Sequence, residues 1–115
     1  MHFGSRNKSL GEEAAKFIET FLVPATRLES DADVLRFASD SVSINGLYAE
    51  MGVCTGKTIN FIAALNPLKT IYGFDSFLGL PHDWERTDIV VPQGTFRFKD
   101  ASFVPPVLHN VVLYK

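Results

Sequence analysis

A short stretch near the middle of the chain holds the residues best suited to bind a ligand. Glu50 precedes two glycines, Gly52 and Gly56, at the mouth of a predicted helix. Glycines at such a turn let a ligand approach the backbone, and we expect the N–H groups of the turn to face outward. Asp75 follows the next apolar run, where a carboxylate can accept hydrogen bonds from both hydroxyls of a ribose. The spacing predicts a nucleotide-class binding site.

The residues of the turn distinguish three classes of ligand. A P-loop, G-x-x-x-x-G-K-S/T, has one more residue between its glycines, so we interpret Lys57 and Thr58 as a coincidence. The dinucleotide pattern G-x-G-x-x-G also fails, because Cys54 and Ile59 stand where glycines are needed. S-adenosylmethionine fits better, because Glu50 would repel a pyrophosphate but suits a cationic amino acid end. An NAD-binding module is kept as an alternative.

The elements around the turn form a βαβ unit. A buried strand is predicted over residues 46–52, a helix over Lys57–Leu65 and a second strand over Thr70–Phe74. Such strands are parallel and joined by a right-handed crossover. A last strand is predicted over Val111–Tyr114, after a proline-rich loop. The strand order 3-2-1 leaves the first strand as an open edge, which invites pairing with a second copy of the chain.

The N-terminal part is predicted to be a leader followed by two helices. Residues 1–9 are short and polar and are predicted to be frayed. Apolar residues recur at helical spacing over Glu12–Val23 and over Asp31–Val42. We therefore divide the chain into residues 1–45, the leader and helices, and residues 46–115, a partial Rossmann-like cofactor-binding domain. The second helix is predicted to bury Val34, Leu35, Phe37 and Ala38.

Composition narrows the classes of function. The chain has 115 residues, 46% of them hydrophobic, with a formal charge of -2. Such a balance is typical of a folded domain and does not favour binding to nucleic acid. No apolar run is long enough to span a membrane, and a single cysteine favours a reducing compartment, so we predict a cytoplasmic protein. The isolated histidines His2, His82 and His109 do not predict a metal site.

Two strings on this βαβ unit carry a family resemblance. YAEMGVCTGKTINFIA and, after it, IYGFDSFLGLPHDW resemble the first and second motifs of class I S-adenosylmethionine-dependent methyltransferases. More narrowly, they are similar to the macrocin O-methyltransferase-like group, in which an E-x-G-V-x-x-G-x-T turn precedes G-F-D-S-F-x-G-L-P. The resemblance covers residues 46–115. It departs from the family at Cys54, usually a glycine, and at Leu78, commonly a glutamate.

The resemblance implies O-methyl transfer to a small hydroxylated acceptor, with S-adenosyl-L-methionine as cofactor. It places the methionine pocket at Glu50, Gly52 and Gly56 and the ribose hydroxyls on Asp75. Ser76 and Phe77 would flank the ribose and adenine. The cofactor-binding residues that it implies are Glu50, Gly52, Val53, Gly56, Thr58, Asp75, Ser76 and Phe77.

The family's fold has more strands than the three predicted here. We therefore expect a Rossmann-like α/β sheet with two preceding helices, truncated after its third strand and inactive alone. The acceptor site, the catalytic base and any divalent metal would belong to the absent half, so no catalytic residue is assigned. The alternative is a non-catalytic module that acts in binding or self-association.

Overall fold

The structure is a computed structural model that describes the backbone of residues 3–115 and the side chains of residues 9–115. The chain divides into two compact units, one that ends at Ser30 and one that spans Asp31–Lys115. His2 lies outside the described residues. Of the helices that are described, none is long and apolar enough to cross a membrane.

The first unit is helical. Helix α1 spans Phe3–Phe17 and continues into a π-helix over Ile18–Leu22. The helix begins earlier than predicted and includes residues 3–9, which we expected to be frayed. Serine, asparagine and a single glycine each cost less than about 1 kcal/mol in a helix, so a polar stretch without proline can extend one. The apolar stripe of this unit stays exposed, with Phe21 61% and Leu22 51% accessible.

The second unit contains five strands. In chain order they are β1 (Tyr48–Met51), β2 (Ile71–Phe74), β3 (Trp84–Glu85), β4 (Val90–Val91) and β5 (Val111–Tyr114). Strands β1, β2 and β5 form a parallel sheet in the order β1-β2-β5, which confirms the predicted strand order. Strands β3 and β4 form a small antiparallel hairpin that was not predicted, because two-residue strands are too short to show a period.

Two helices accompany the sheet. Helix α2 spans Asp31–Asp40 and packs against α3, which spans Lys57–Leu65 as predicted. The predicted buried stripe of α2 is wrong, since Val34 and Phe37 are about half exposed and the helix has no buried residue. The reason is that α2 packs against α3 along one side, so residues on its other sides stay exposed. Leu35 is half-buried.

The core lies on the side of the sheet that α3 covers. Its buried residues are Val53, Ile59, Ala63, Ile71, Phe77 and Val111. Gly73 belongs to this face, and a Cβ there would lie 2.6 Å from Cδ1 of Ile59. Only glycine therefore lets the helix approach the strand so closely. On the other face of the sheet Met51 and Tyr114 are 74% and 48% exposed.

One side chain links the end of α3 to the start of β5. The amide Nδ2 of Asn110 lies 3.1 Å from the carbonyl oxygens of Ala63 and Asn66 and 3.0 Å from that of Lys69. The last carbonyls of a helix have no partner within the helix, so a side-chain donor satisfies them. Asn110 thus adds to the cap at the C-terminal end of α3, where the N–H of Asn66 already donates to the carbonyls of Ile62 and Ala63.

Candidate functional site

Asp75 joins the ends of two neighbouring strands. Its Oδ2 accepts hydrogen bonds from the N–H groups of Val53 and Cys54, each at 2.8 Å, and its Oδ1 accepts one from Phe77 at 2.8 Å. Burial alone would raise the pKa of this carboxyl, but the three N–H donors together hold the pKa below its ordinary value. Through these hydrogen bonds the carboxylate links the turn after β1 to the segment after β2.

The turn between β1 and α3 is tightly wound. Gly52, Cys54 and Gly56 have φ values of 93°, 49° and 82°. The N–H of Gly52 donates to the carbonyl of Phe74 at 2.8 Å, and the N–H of Gly56 donates to that of Val53 at 2.9 Å. With the two N–H groups that Asp75 accepts, most donors of the turn are satisfied within the protein. The expectation that they face outward is wrong for these groups, because the carboxylate after β2 and the Phe74 carbonyl lie within reach.

A cavity of about 270 Å³ lies beside this turn. We call it the turn cavity, and its lining residues are Gly52, Cys54, Asp75, Phe77, Gly79, Leu80, Phe96 and Phe98. The loop after Asp75 closes it, since Leu80 N–H donates to Thr95 at 2.9 Å and Gly94 N–H donates to Leu80 at 2.8 Å. The wall of the turn cavity is mostly aromatic and aliphatic, and Asp75 is the one charged residue among those that line it.

Three of the predicted cofactor-binding residues line the turn cavity. They are Gly52, Asp75 and Phe77. Phe77 is also part of the core at 3% exposure, so the cavity meets only part of its surface. Phe96 and Phe98 were not predicted as site residues, and the weak signal for them is their alternation after Gly94.

The other predicted residues lie around the cavity without lining it. Val53 is buried in the core, and Gly56 packs against Pro105, which a Cβ would meet at 3.3 Å. Thr58 is exposed on the first turn of α3. Ser76 is exposed, and its Oγ accepts the N–H of Leu78 at 3.1 Å. These positions shape the turn and its loop.

Glu50 lies on a different surface from the turn cavity. It lines a groove of about 570 Å³ between β1 and the end of α2, which we call the edge groove. Its Oε2 is buried and has no hydrogen-bond partner within the part of the chain that the structure describes. Burial raises the pKa of this carboxyl. The sequence analysis placed Glu50 and Asp75 in one site, whereas in the structure Glu50 lines the edge groove and Asp75 lines the turn cavity.

The described residues include no group of three or more histidine, cysteine, aspartate or glutamate side chains that could hold a metal ion. His82 and His109 are among the residues searched.

Comparison with known proteins finds no relative: no family model matches the chain, and no curated protein or solved structure matches it. The resemblance to methyltransferases therefore stays a prediction that rests on the two motifs.

Proposed function

We propose that this chain is the cofactor-binding portion of a Rossmann-like, S-adenosylmethionine-dependent O-methyltransferase that acts on a small hydroxylated acceptor. The observation that carries the proposal is the contact between Asp75 and the glycine turn, at the carboxyl ends of β2 and β1. Ligands of open α/β sheets bind outside these strand ends. The turn cavity opens beside the same contact.

The turn cavity suits the nucleoside part of such a cofactor. Phe96 and Phe98 offer aromatic surface to a planar base. Oδ1 of Asp75 accepts only one N–H, so it can accept one further hydrogen bond, from a single ribose hydroxyl. The cavity, at about 270 Å³, lies below the usual range of about 300 to 1,000 Å³ for small-molecule sites. A space of this size is too small for the whole cofactor, so we assign to it the nucleoside part alone.

The residues of the turn cavity would bind the cofactor and orient it. When bound, S-adenosylmethionine would supply a methyl group on its sulfonium sulfur, for transfer to an acceptor oxygen held in line with the sulfur–methyl bond. Asp75 is a poor proton acceptor, because three N–H donors stabilise its charged form and lower its pKa. We therefore assign Asp75 a role in positioning the cofactor and not in proton transfer. Cys54 is a free thiol, in keeping with the cytoplasmic setting that we propose.

A second candidate function is a binding module without catalysis. It is favoured by the internal hydrogen bonds of the turn, which leave Asp75 with little free capacity for a ligand. The same bonds disfavour NAD within this class, because the N–H groups of Val53 and Cys54 are not free to bind a pyrophosphate.

Calorimetric titration of the full chain with S-adenosylhomocysteine tests the first proposal. We expect binding, and we expect Phe96→Ala to weaken it about tenfold because an aromatic wall is lost. Phe37→Ala is the matched control, since Phe37 is 52% exposed on α2 and Phe96 is 59% exposed at the cavity.

The outcomes separate the candidates. Absence of heat with S-adenosylhomocysteine, or equal weakening by both phenylalanine variants, rejects the cofactor site. Heat with NAD alone supports a binding module of the dinucleotide class.

A further inference from the structure

A groove of about 540 Å³ lies in the long loop between β2 and β5. We call it the loop groove, and its lining residues include Ser76, Gly79, Leu80, Gln93, Gly94 and Arg97. Its volume falls within the usual range of about 300 to 1,000 Å³ for small-molecule sites. All of its lining residues lie within residues 76–97, so one segment of the chain forms the whole groove.

The walls of the loop groove do not come from the free edge of the sheet. A doubly wound sheet with the strand order 3-2-1 continues beyond its first strand, which here is β1. The loop groove is built from the connection between the other two strands, β2 and β5. Strands that would join β1 are therefore not needed to form it.

Two stretches of the loop hold the walls of the groove together. The N–H of Leu80 donates to the carbonyl of Thr95 at 2.9 Å, and the N–H of Gly94 donates to that of Leu80 at 2.8 Å. A Cβ on Gly79 would lie 2.6 Å from the carbonyl oxygen of Gly94, so only glycine lets the two stretches approach so closely. These contacts form the groove without a ligand, which lowers the cost of binding one.

Arg97 is the single charged residue among those that line the loop groove. Its side chain lies along Gly94, since a Cβ there would be 3.6 Å from Cδ and 3.9 Å from Nε of Arg97. Within the part of the chain that the structure describes, its guanidinium has no acidic partner. A guanidinium presents its N–H donors in a planar fork that matches a carboxylate or a phosphate. The groove therefore has donors available for one anionic group.

Two uncharged side chains add hydrogen-bonding groups that suit hydroxyls. Nε2 of Gln93 donates to the carbonyl of Pro81 at 2.9 Å, which leaves Oε1 of Gln93 as an acceptor. Oγ of Ser76 accepts a backbone N–H at 3.1 Å, which leaves its own O–H as a donor. Asp83 accepts the N–H of Gln93 at 2.7 Å and does not line the groove.

We propose that the loop groove binds a small hydroxylated molecule that carries a phosphate or carboxylate group, with Arg97 on the anionic group and Gln93 and Ser76 on hydroxyls. Gly79 and Leu80 line both the loop groove and the turn cavity, so the two spaces share a wall. A molecule in the loop groove would thus lie next to a nucleoside in the turn cavity. This molecule is then the methyl acceptor, an identity that, unlike the binding itself, rests on the proposed function.

Titration of the isotope-labelled full chain with glycerol phosphate, followed by NMR, tests the proposal. We expect the side-chain N–H signals of Arg97 and Gln93 to shift most. Arg97→Gln should weaken binding at least about tenfold, because charge-assisted hydrogen bonds are lost. Arg36→Gln, at an exposed arginine on α2, is the control and should leave the affinity unchanged.

Ligands that differ in one group keep the test independent of any protein variant. Ethyl phosphate, which has the charge but no hydroxyl, should bind about fivefold more weakly than glycerol phosphate, because hydrogen bonds to Gln93 and Ser76 are lost. Glycerol, which lacks the anionic group, should show no binding. Glycerate carries a carboxylate in place of the phosphate, and the tighter binder of the two identifies the anionic group.

Several outcomes overturn the proposal. They are no binding of glycerol phosphate or glycerate, equal binding to the Arg97→Gln variant, and equal binding of ethyl phosphate or inorganic phosphate, which would show an adventitious ion only. S-adenosylhomocysteine should not compete with glycerol phosphate, since the two occupy separate spaces, and competition would also overturn the proposal. If S-adenosylhomocysteine does not bind but Arg97→Gln weakens glycerol phosphate binding, the proposed function fails and the binding site stands.

Discussion

Two carboxyl groups on neighbouring strands meet opposite surroundings in this protein. Asp75, directly after β2, accepts three backbone N–H groups. Glu50, in β1, has an oxygen that is buried without a partner among the described residues. The pKa of Asp75 is lowered by its donors despite its burial, whereas burial raises the pKa of Glu50. The contrast shows that backbone N–H groups satisfy the carboxylate after β2, whereas no described donor reaches Oε2 of Glu50 in β1.

The two groups should affect stability in opposite directions as pH changes. The folded-state pKa of Asp75 lies below its unfolded value, so its contribution is present above about pH 4 and is lost as pH falls through the folded pKa. The folded-state pKa of Glu50 lies above its unfolded value. Its ionisation therefore lowers the free energy of unfolding as pH rises above about 4.

Asp75→Asn should have the largest effect of the three substitutions that test this contrast. We expect a loss of about 3 kcal/mol in the free energy of unfolding at pH 7, because the amide NH₂ must face either the N–H groups of Val53 and Cys54 or that of Phe77. Urea denaturation measures it, with exposed Asp88→Asn as the control. The difference between Asp75→Asn and the unmodified protein should shrink below about pH 4. A loss independent of pH would contradict the role given to the charge.

Gly73→Ala should have the next largest effect. Compared with Gly46→Ala, it contrasts the tight packing between β2 and α3 with the open space beside β1. The new Cβ would lie 2.6 Å from Ile59 and 2.8 Å from Val53 and Leu113. We expect a loss of about 2 kcal/mol, since overpacking of a core displaces its neighbours. Gly46→Ala, beside the edge groove, has no atom within 4 Å of the new Cβ and should be nearly neutral. Thermal unfolding of both variants would refute the contrast if their midpoints fell equally.

Glu50→Gln should have the smallest effect, and of opposite sign. Removing the charge should raise the free energy of unfolding by about 0.5 kcal/mol at pH 7, a modest gain because water screens the exposed part of the carboxyl. The gain should disappear at about pH 3, where Glu50 is protonated in both the folded and the unfolded state. Urea denaturation at the two pH values measures the change. Destabilisation at pH 7 would show that Glu50 has a partner that stabilises its charge.

Much of the sheet could be predicted from sequence. The helix over Lys57–Leu65 and the strands that end at Phe74 and Tyr114 have strong local patterns, and the order of the strands follows from their parallel connection. The spacing also indicated that Asp75 lies near the glycine turn, which the hydrogen bonds to Val53 and Cys54 confirm. These features depend on local residues and simple topology.

Other features depend on tertiary contacts that no local pattern contains. The exposure of Phe37 follows from which side of α2 meets α3. Glu50 lines the edge groove because its side chain lies on the same face of β1 as that of Tyr48. The place of Phe96 in the turn cavity follows from the folding back of a long loop. Sequence spacing predicted a single site where the structure has two spaces.

The contacts of Asn110 have a consequence for the order in which the chain folds. Its amide reaches back across 47, 44 and 41 residues to the end of α3. That helix is only 9 residues long, which is too short to be stable on its own in water. During synthesis α3 therefore has only its local cap, the backbone N–H and side-chain amide of Asn66, until Asn110 has left the ribosome. Contacts of such long range slow folding, because the intervening chain must close into a loop before they form.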